Sequence, residues 1–428
     1  METEAMWGVA SQVWVMVSAA LVLLMTPGLA FFYGGLSRAR SAINMMMMSF
    51  AAMGLVAVVW VLWGYSMSGG GTSIAGIVAD PITAFGLQGL SGEDLVGVGY
   101  GSTFAIITVA LISGAVADRA RFKAWMVFVP LWVTLVYAPL AYMVWGGGLL
   151  GADGAIGSVV GEALDFAGGL VVHMAAGLAA LVLAMMIGRR AGFAPSLHKP
   201  HNVPFVMLGA ALLWFGWFGF NGGAAGSIAE GGLIWVNTLV APGAALVAWL
   251  LTEQLRDGRM TSVGAASGIV AGLVAITPAC AFVTPLGALA IGAVAGAICC
   301  FAVNVKFKLG IDDSLDVVGL HFVAGLWGTL AIGLLAVAQE DGRAGLFYGG
   351  GFSIMTSQAV AVLVTTVYTV AVTALIAFAI HKTMGFRIAP EDEVGGIDLS
   401  EHRESAYDLE VALAYTGATD EAGELEKH

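Results

Sequence analysis

The chain has 428 residues, 59% of them hydrophobic and only 11% charged, with a formal net charge of −12. Soluble domains carry about 25% charged residues, so a soluble enzyme is excluded, and a nucleic-acid partner is excluded because phosphates need clustered Lys and Arg. Cys280, Cys299 and Cys300 lie in apolar runs and give no disulfide scaffold, which leaves a polytopic membrane protein.

A helix needs about 20 apolar residues to cross the hydrocarbon layer. That ruler marks eleven spans, roughly 8–33, 43–67, 98–117, 124–146, 165–188, 203–222, 231–252, 262–279, 283–304, 316–338 and 354–380. The first is expected to stay in place rather than be cleaved as a signal peptide. Glu2 and Glu4 stand where a signal would be basic, and the apolar run is too long. Eleven spans put sixteen of the seventeen Lys and Arg on one face, with Arg343 the exception. The basic face is expected to be cytoplasmic, with the amino terminus outside and the carboxyl terminus inside.

From Glu391 onward there are twelve acids against Arg403 and Lys427, so this stretch carries −10 and the first 390 residues carry −2. Residues 1–386 are expected to form the membrane domain and residues 387–428 a cytoplasmic tail, disordered after about Leu409.

Span five holds His173-Met174-Ala175-Ala176-Gly177-Leu178 and span ten holds His321-Phe322-Val323-Ala324-Gly325-Leu326. An Asp precedes each copy, Asp165 in the first and Asp316 in the second. Five helices separate equivalent positions, so the second copy crosses in the opposite direction. The expected fold is therefore all-α, an inverted repeat of five and five helices plus an eleventh, with the solute path where the repeats meet. The Gly four residues after each His shares its helix face and admits another backbone there. Two ionisable groups at matched depths favour a functional pair over simple packing histidines.

Further motifs are Met25-Thr26-Pro27-Gly28-Leu29-Ala30-Phe31-Phe32-Tyr33-Gly34-Gly35, Asn44 to Phe50, Asp165 to His173, Trp217-Phe218-Gly219-Phe220-Asn221 and Asp316 to His321. Five in this order resemble the ammonium transporter family (Amt, methylammonium permease and Rh proteins), in its prokaryotic Amt branch. The resemblance implies an Amt/Rh-like homotrimer in a cell membrane, the inner or plasma membrane, with one pore per subunit. Its paired pore histidines correspond to His173 and His321, and its stacked gate rings to Phe104 and Phe220. Trp145 fits the vestibule tryptophan, and Tyr100 a nearby aromatic position. The family's vestibule serine falls on Ala224, a departure that removes a hydroxyl; Ser227, one turn on, is not expected to replace it. Trp217 is expected to support the vestibule. The tail from Arg387 to about Leu409 resembles the family's regulatory region, which works with a PII-type signalling protein at the cytoplasmic exit.

Ammonium and potassium match in charge and size, so oxygen ligands separate them poorly. Aromatic faces attract a cation by about 0.5–2 kcal/mol, and a dry pore then favours the uncharged form, which ammonium has and potassium lacks. Neutral imidazoles offer one donor and one acceptor, so the pair can pass ammonia or carry a proton. Asp165 is expected to cap the start of span five rather than bind the cation. Asp316 is expected to be its counterpart at the inner mouth. Met45 to Met48 read as helix packing rather than a metal site, His198 and His201 as solvated loop residues, Glu230 as an outer-loop residue, and Asp312 and Asp313 as loop contacts. No cofactor is implied. A sensor of the same fold is the main alternative, although the tail is too short for a fused signalling domain. A water channel lacks its Asn-Pro-Ala pair, and an enzyme lacks a nucleophile, metal cluster or nucleotide loop.

Overall fold

The computed structural model describes residues 2–194 and 199–407. His198 and the tail beyond Tyr407 lie outside the described residues. Among the described residues, ten helices are long and apolar enough to cross a membrane: α1 Gly8–Leu36, α2 Ala39–Gly64, α3 Asp94–Val116, α4 Phe122–Val144, α5 Gly169–Ile187, α6 Val203–Gly222, α7 Ile228–Asp257, α9 Pro285–Leu309, α10 Val318–Leu335 and α11 Ser353–Thr383. Between α7 and α9 lies a shorter apolar helix, α8 Ser262–Ile276.

The shortness of α8 has a physical cause. Thr261 caps its start, accepting from the Gly264 N–H at 2.9 Å, and Pro278 forbids continuation at its end. The turns that follow are buried, so their backbone is satisfied by protein rather than lipid. Asn237 donates to the carbonyls of Cys280 and Val283, both at 2.8 Å, and the Phe166 N–H donates to Pro278 O at 3.2 Å.

The first helices of the two halves, α1 and α6, touch backbone to backbone. A Cβ on Gly219 would stand 2.8 Å from Ser18 O, and one on Gly28 would stand 3.0 Å from the Leu212 Cβ. Lipid supplies no hydrophobic drive between helices, so close approach through small residues holds such pairs. Between α2 and α3 a small hairpin, β1 Ser73–Ile74 with β2 Val78–Ala79, pairs Ser73 with Ala79 antiparallel.

On the Lys/Arg-rich face three loops converge on Arg190, which is buried. Its guanidinium meets Asp118 Oδ2 at 2.9 Å and both Asp312 oxygens at 2.9 Å. Arg119, fully buried, donates to Asp312 O, Gly188 O and the Ser314 hydroxyl.

The tail continues this network. Its short helix α12 Pro390–Gly395 is followed by one turn, Asp398–His402. Asp398 accepts from the Ile43 and Asn44 N–H groups at 3.0 and 2.8 Å, and Glu401 accepts from the Phe122 N–H at 3.0 Å. These carboxylates therefore sit at the starts of α2 and α4, where unpaired N–H groups and the helix dipole favour negative charge. His201, expected in solvent, instead bonds Ser37 O at 3.0 Å through Nδ1 and the Tyr407 hydroxyl at 2.9 Å through Nε2. The correction follows from the fold, because the α5–α6 loop lies under the returning tail.

Candidate pore and vestibule

Helix α3 carries Tyr100 and Phe104 one turn apart. The Tyr100 hydroxyl donates to Phe220 O at 2.7 Å and so ties α3 to the end of α6. That tie sets Phe104 against Phe220, with ring centres 4.1 Å apart and planes 19° from parallel. Trp145, at the end of α4, donates its indole N–H to Asp165 O at 2.7 Å and stands edge-on to Phe104 at 6.4 Å.

Above the stacked rings opens a cavity of about 590 Å³. Tyr100, Phe104, Trp145 and Ala224 line it, and so do Trp60, Tyr65, Tyr137 and Phe166. No charged side chain does so among the described residues. Ser227 does not supply the hydroxyl missing at Ala224. It caps α7 by accepting from the Glu230 N–H at 3.1 Å and lines a different surface hollow.

Below the rings His173 and His321 face each other, Nδ1 to Nδ1 at 3.3 Å, with ring centres 5.4 Å apart. Both are buried, and His173 Nε2 has no hydrogen-bond partner. The surrounding lumen holds about 10 Å³ between Met25, Leu29, Ile107, Leu213 and Val270, near the minimum for one water. Trp217 lies here, stacked on His173 at 5.4 Å and donating to the Thr277 hydroxyl at 2.8 Å. It flanks the histidines rather than supporting the vestibule, because its place on α6 is one turn deeper than Phe220.

Each histidine rides on a widened π-type turn, Gly169–Met174 or Val318–Phe322. Such turns cost helical hydrogen bonding and concentrate at functional sites. A Cβ on Gly177 would collide with Phe322, and one on Gly325 would press on His173 Cβ. The two glycines are thus where α5 and α10 cross, and the crossing brings the rings together.

Asp165 does not face the vestibule. Its carboxylate accepts the N–H groups of Gly168, Gly169, Leu170 and Val171 at 2.5–3.2 Å. At α10 the corresponding acceptor is Asp313, bonded to the Val317 and Val318 N–H groups at 3.0 and 2.7 Å. Asp316 pairs with Lys306 at 2.5 Å instead. The sequence held the right signal: Asp313 lies 148 residues after Asp165, the same interval that separates the histidines. Trp60, Tyr65 and Tyr137 carried no comparable signal, since they reach the vestibule from separate segments.

The profile of the Ammonium Transporter Family matches residues 13–407. This chain belongs to the ammonium transporter family. An "Ammonium transporter" of Mycobacterium tuberculosis is 51% identical over 93% of this chain and 90% of its own length. "Ammonium transporter Amt1" of Archaeoglobus fulgidus is 43% identical over 92% of this chain and 98% of its own. Among solved structures, Candida albicans Mep2 aligns with a TM-score of 0.81 at 33% identity, covering 90% of this chain and 87% of its own. A "Sensor Amt Protein" aligns with a TM-score of 0.85 at 27% identity, covering 93% and 100%. Membership makes the chain a multi-pass membrane transporter of the Amt/Mep fold and not an enzyme.

Proposed function

We propose that the chain carries ammonium into the cell. Ammonium is held by aromatic rings at the vestibule, loses its proton near the Phe104–Phe220 stack, and crosses past His173 and His321 as ammonia, with the proton travelling separately. The observation that carries this reading is the histidine pair across a lumen too small and apolar for a hydrated ion. A desolvated cation there would lack ligands, whereas neutral ammonia can exchange one hydrogen bond at a time with His173 Nε2.

The same reading puts the basic face in the cytoplasm of a cell bounded by its inner or plasma membrane. It takes residues 1–386 as the transporting unit and residues 387–428 as a regulatory tail. It includes a homotrimer and a PII-type partner at the cytoplasmic exit. A particle of one chain mass in lipid nanodiscs would remove the trimer, and failure of purified PII protein to bind would remove that partner.

Solid-supported-membrane currents on proteoliposomes test the transport reading. Wild type gives an ammonium-dependent current that excess potassium does not replace. His173→Ala reduces that current by about tenfold or more, equivalent to ~1.4 kcal/mol on the barrier. A potassium current equal to the ammonium current would sink the proposal.

The likeness to the "Sensor Amt Protein" favours a second reading, an ammonium receptor with little flux. Growth rescue of an ammonium-uptake-deficient cell at low ammonium separates the two, since a receptor would leave growth unrescued.

A further inference from the structure

The vestibule is far larger than its proposed solute requires. Ammonium occupies about the space of one water, roughly 30 Å³, and the cavity measures about 590 Å³. Seven aromatic side chains line it and, among the described residues, no charged one does.

Three of these rings turn their polar edges away from it. Trp60 donates its N–H to Val98 O at 3.0 Å, Trp145 donates to Asp165 O, and the Tyr100 hydroxyl donates to Phe220 O. What they leave facing the cavity is carbon and π density. Ala224 adds a methyl to the same wall. Ammonium has four N–H groups to satisfy, and beyond those three rings the lining side chains offer it only the Tyr65, Tyr137 and Ser68 hydroxyl oxygens. A cation sheathed in methyl groups has none to satisfy, and aromatic cages are the usual receptors for it.

We propose that the vestibule is a binding site for quaternary ammonium cations of tetramethylammonium or choline size. They bind against Trp145 and its neighbours from the outer side and exclude ammonium while bound. They are not transported, because the stacked Phe104 and Phe220 narrow the way and the lumen beyond holds only about 10 Å³, too little for a quaternary cation. The competition between the two cations rests on the ammonium-uptake reading; the binding itself does not.

The test uses the full chain in lipid nanodiscs with radiolabelled choline in a scintillation proximity assay. Saturable binding is expected, displaced by tetramethylammonium. The uncharged isostere 3,3-dimethylbutanol should compete at least about tenfold more weakly, and Trp145→Leu should weaken binding by about threefold or more, with Trp145→Phe in between. No saturable binding, equal competition by the alcohol, or unchanged binding in Trp145→Leu would each overturn the site. Choline accumulation inside proteoliposomes would overturn its exclusion from the pore. Choline binding without any ammonium current refutes the uptake reading and leaves the site standing. Ammonium current without choline binding does the reverse.

Discussion

The two mouths of the pore are built from different chemistry on a shared plan. At each, an aspartate eight residues ahead of a histidine caps a widened turn, and a glycine four residues after the histidine admits the other helix. The aromatic mouth then adds rings and no charged lining, and Asp165 is saturated by four backbone donors within its own segment. The ionic mouth gives Asp313 two such donors, sets Lys306 of α9 against its carbonyl, and ties the adjacent Asp312 to Arg190 from another loop. A cation approaching the first meets polarizable surface already organised by local contacts. The second is organised by distant loops and by the tail, so its geometry depends on parts of the chain that can change.

The largest expected effect breaks the locally organised mouth. Asp165→Ala strands four N–H groups at a buried turn, and each stranded donor costs roughly 1–3 kcal/mol. Asp313→Ala strands two. In detergent, Asp165→Ala should yield little folded protein, while Asp313→Ala should fold with a lowered melting temperature. The opposite order would show that the ionic mouth, not the aromatic one, depends more on its capping carboxylate.

That asymmetry was only half legible in the sequence. The repeated His-x-x-Ala-Gly-Leu places both histidines and both crossing glycines, because a repeat preserves spacing and spacing on a helix is direction. Asp316 was matched to Asp165 by proximity to the histidine, although the repeat interval points to Asp313. The aromatic wall was legible only in part. Tyr100 and Phe104 share one helical face, but Trp60, Tyr65 and Tyr137 converge from α2, the segment after it and α4, and no local pattern records that convergence. Arg119 and Arg190 read as charges that set orientation. The fold buries both, since one guanidinium can satisfy several loop carbonyls and carboxylates at once.

The next effect concerns Arg190 alone. Removing one partner of a buried ion cluster costs about 3–5 kcal/mol, and here Asp118 and Asp312 both lose their closest cation. Arg190→Ala should therefore melt well below wild type, and Arg190→Lys should recover part of the loss by keeping the charge without the fork. Acid sharpens the comparison. Burial alone would raise the pKa of Asp118 and Asp312, but the Arg190 guanidinium, aided by Arg38 beside Asp118 and Arg119 beside Asp312, outweighs it and holds both below the usual aspartate value. Their contribution is thus complete above about pH 4 and is lost only as pH falls through the depressed values. In Arg190→Ala most of that depression goes, so the mutant should start from a lower stability and lose less of it on acidification than wild type does. Identical acid profiles would mean that Arg190 does not control these carboxyls.

The smallest effect lies where the ionic mouth meets the tail. Asp398 caps α2 from a segment more than three hundred residues away, with two hydrogen bonds rather than the four that Asp165 accepts. A lost cap of this kind costs about 1 kcal/mol, enough to shift docking of the tail several-fold but too little to unfold the bundle. Asp398→Ala should accordingly keep the wild-type melting temperature within error while trypsin cuts at Arg403 about fivefold faster, the rate equivalent of that 1 kcal/mol when cleavage follows opening. A melting temperature lowered as far as that of Arg190→Ala would show instead that tail and bundle form one cooperative unit. The ionic mouth would then be as fixed as the aromatic one, and a tail that cannot leave without unfolding the protein could not act on the pore by docking and release.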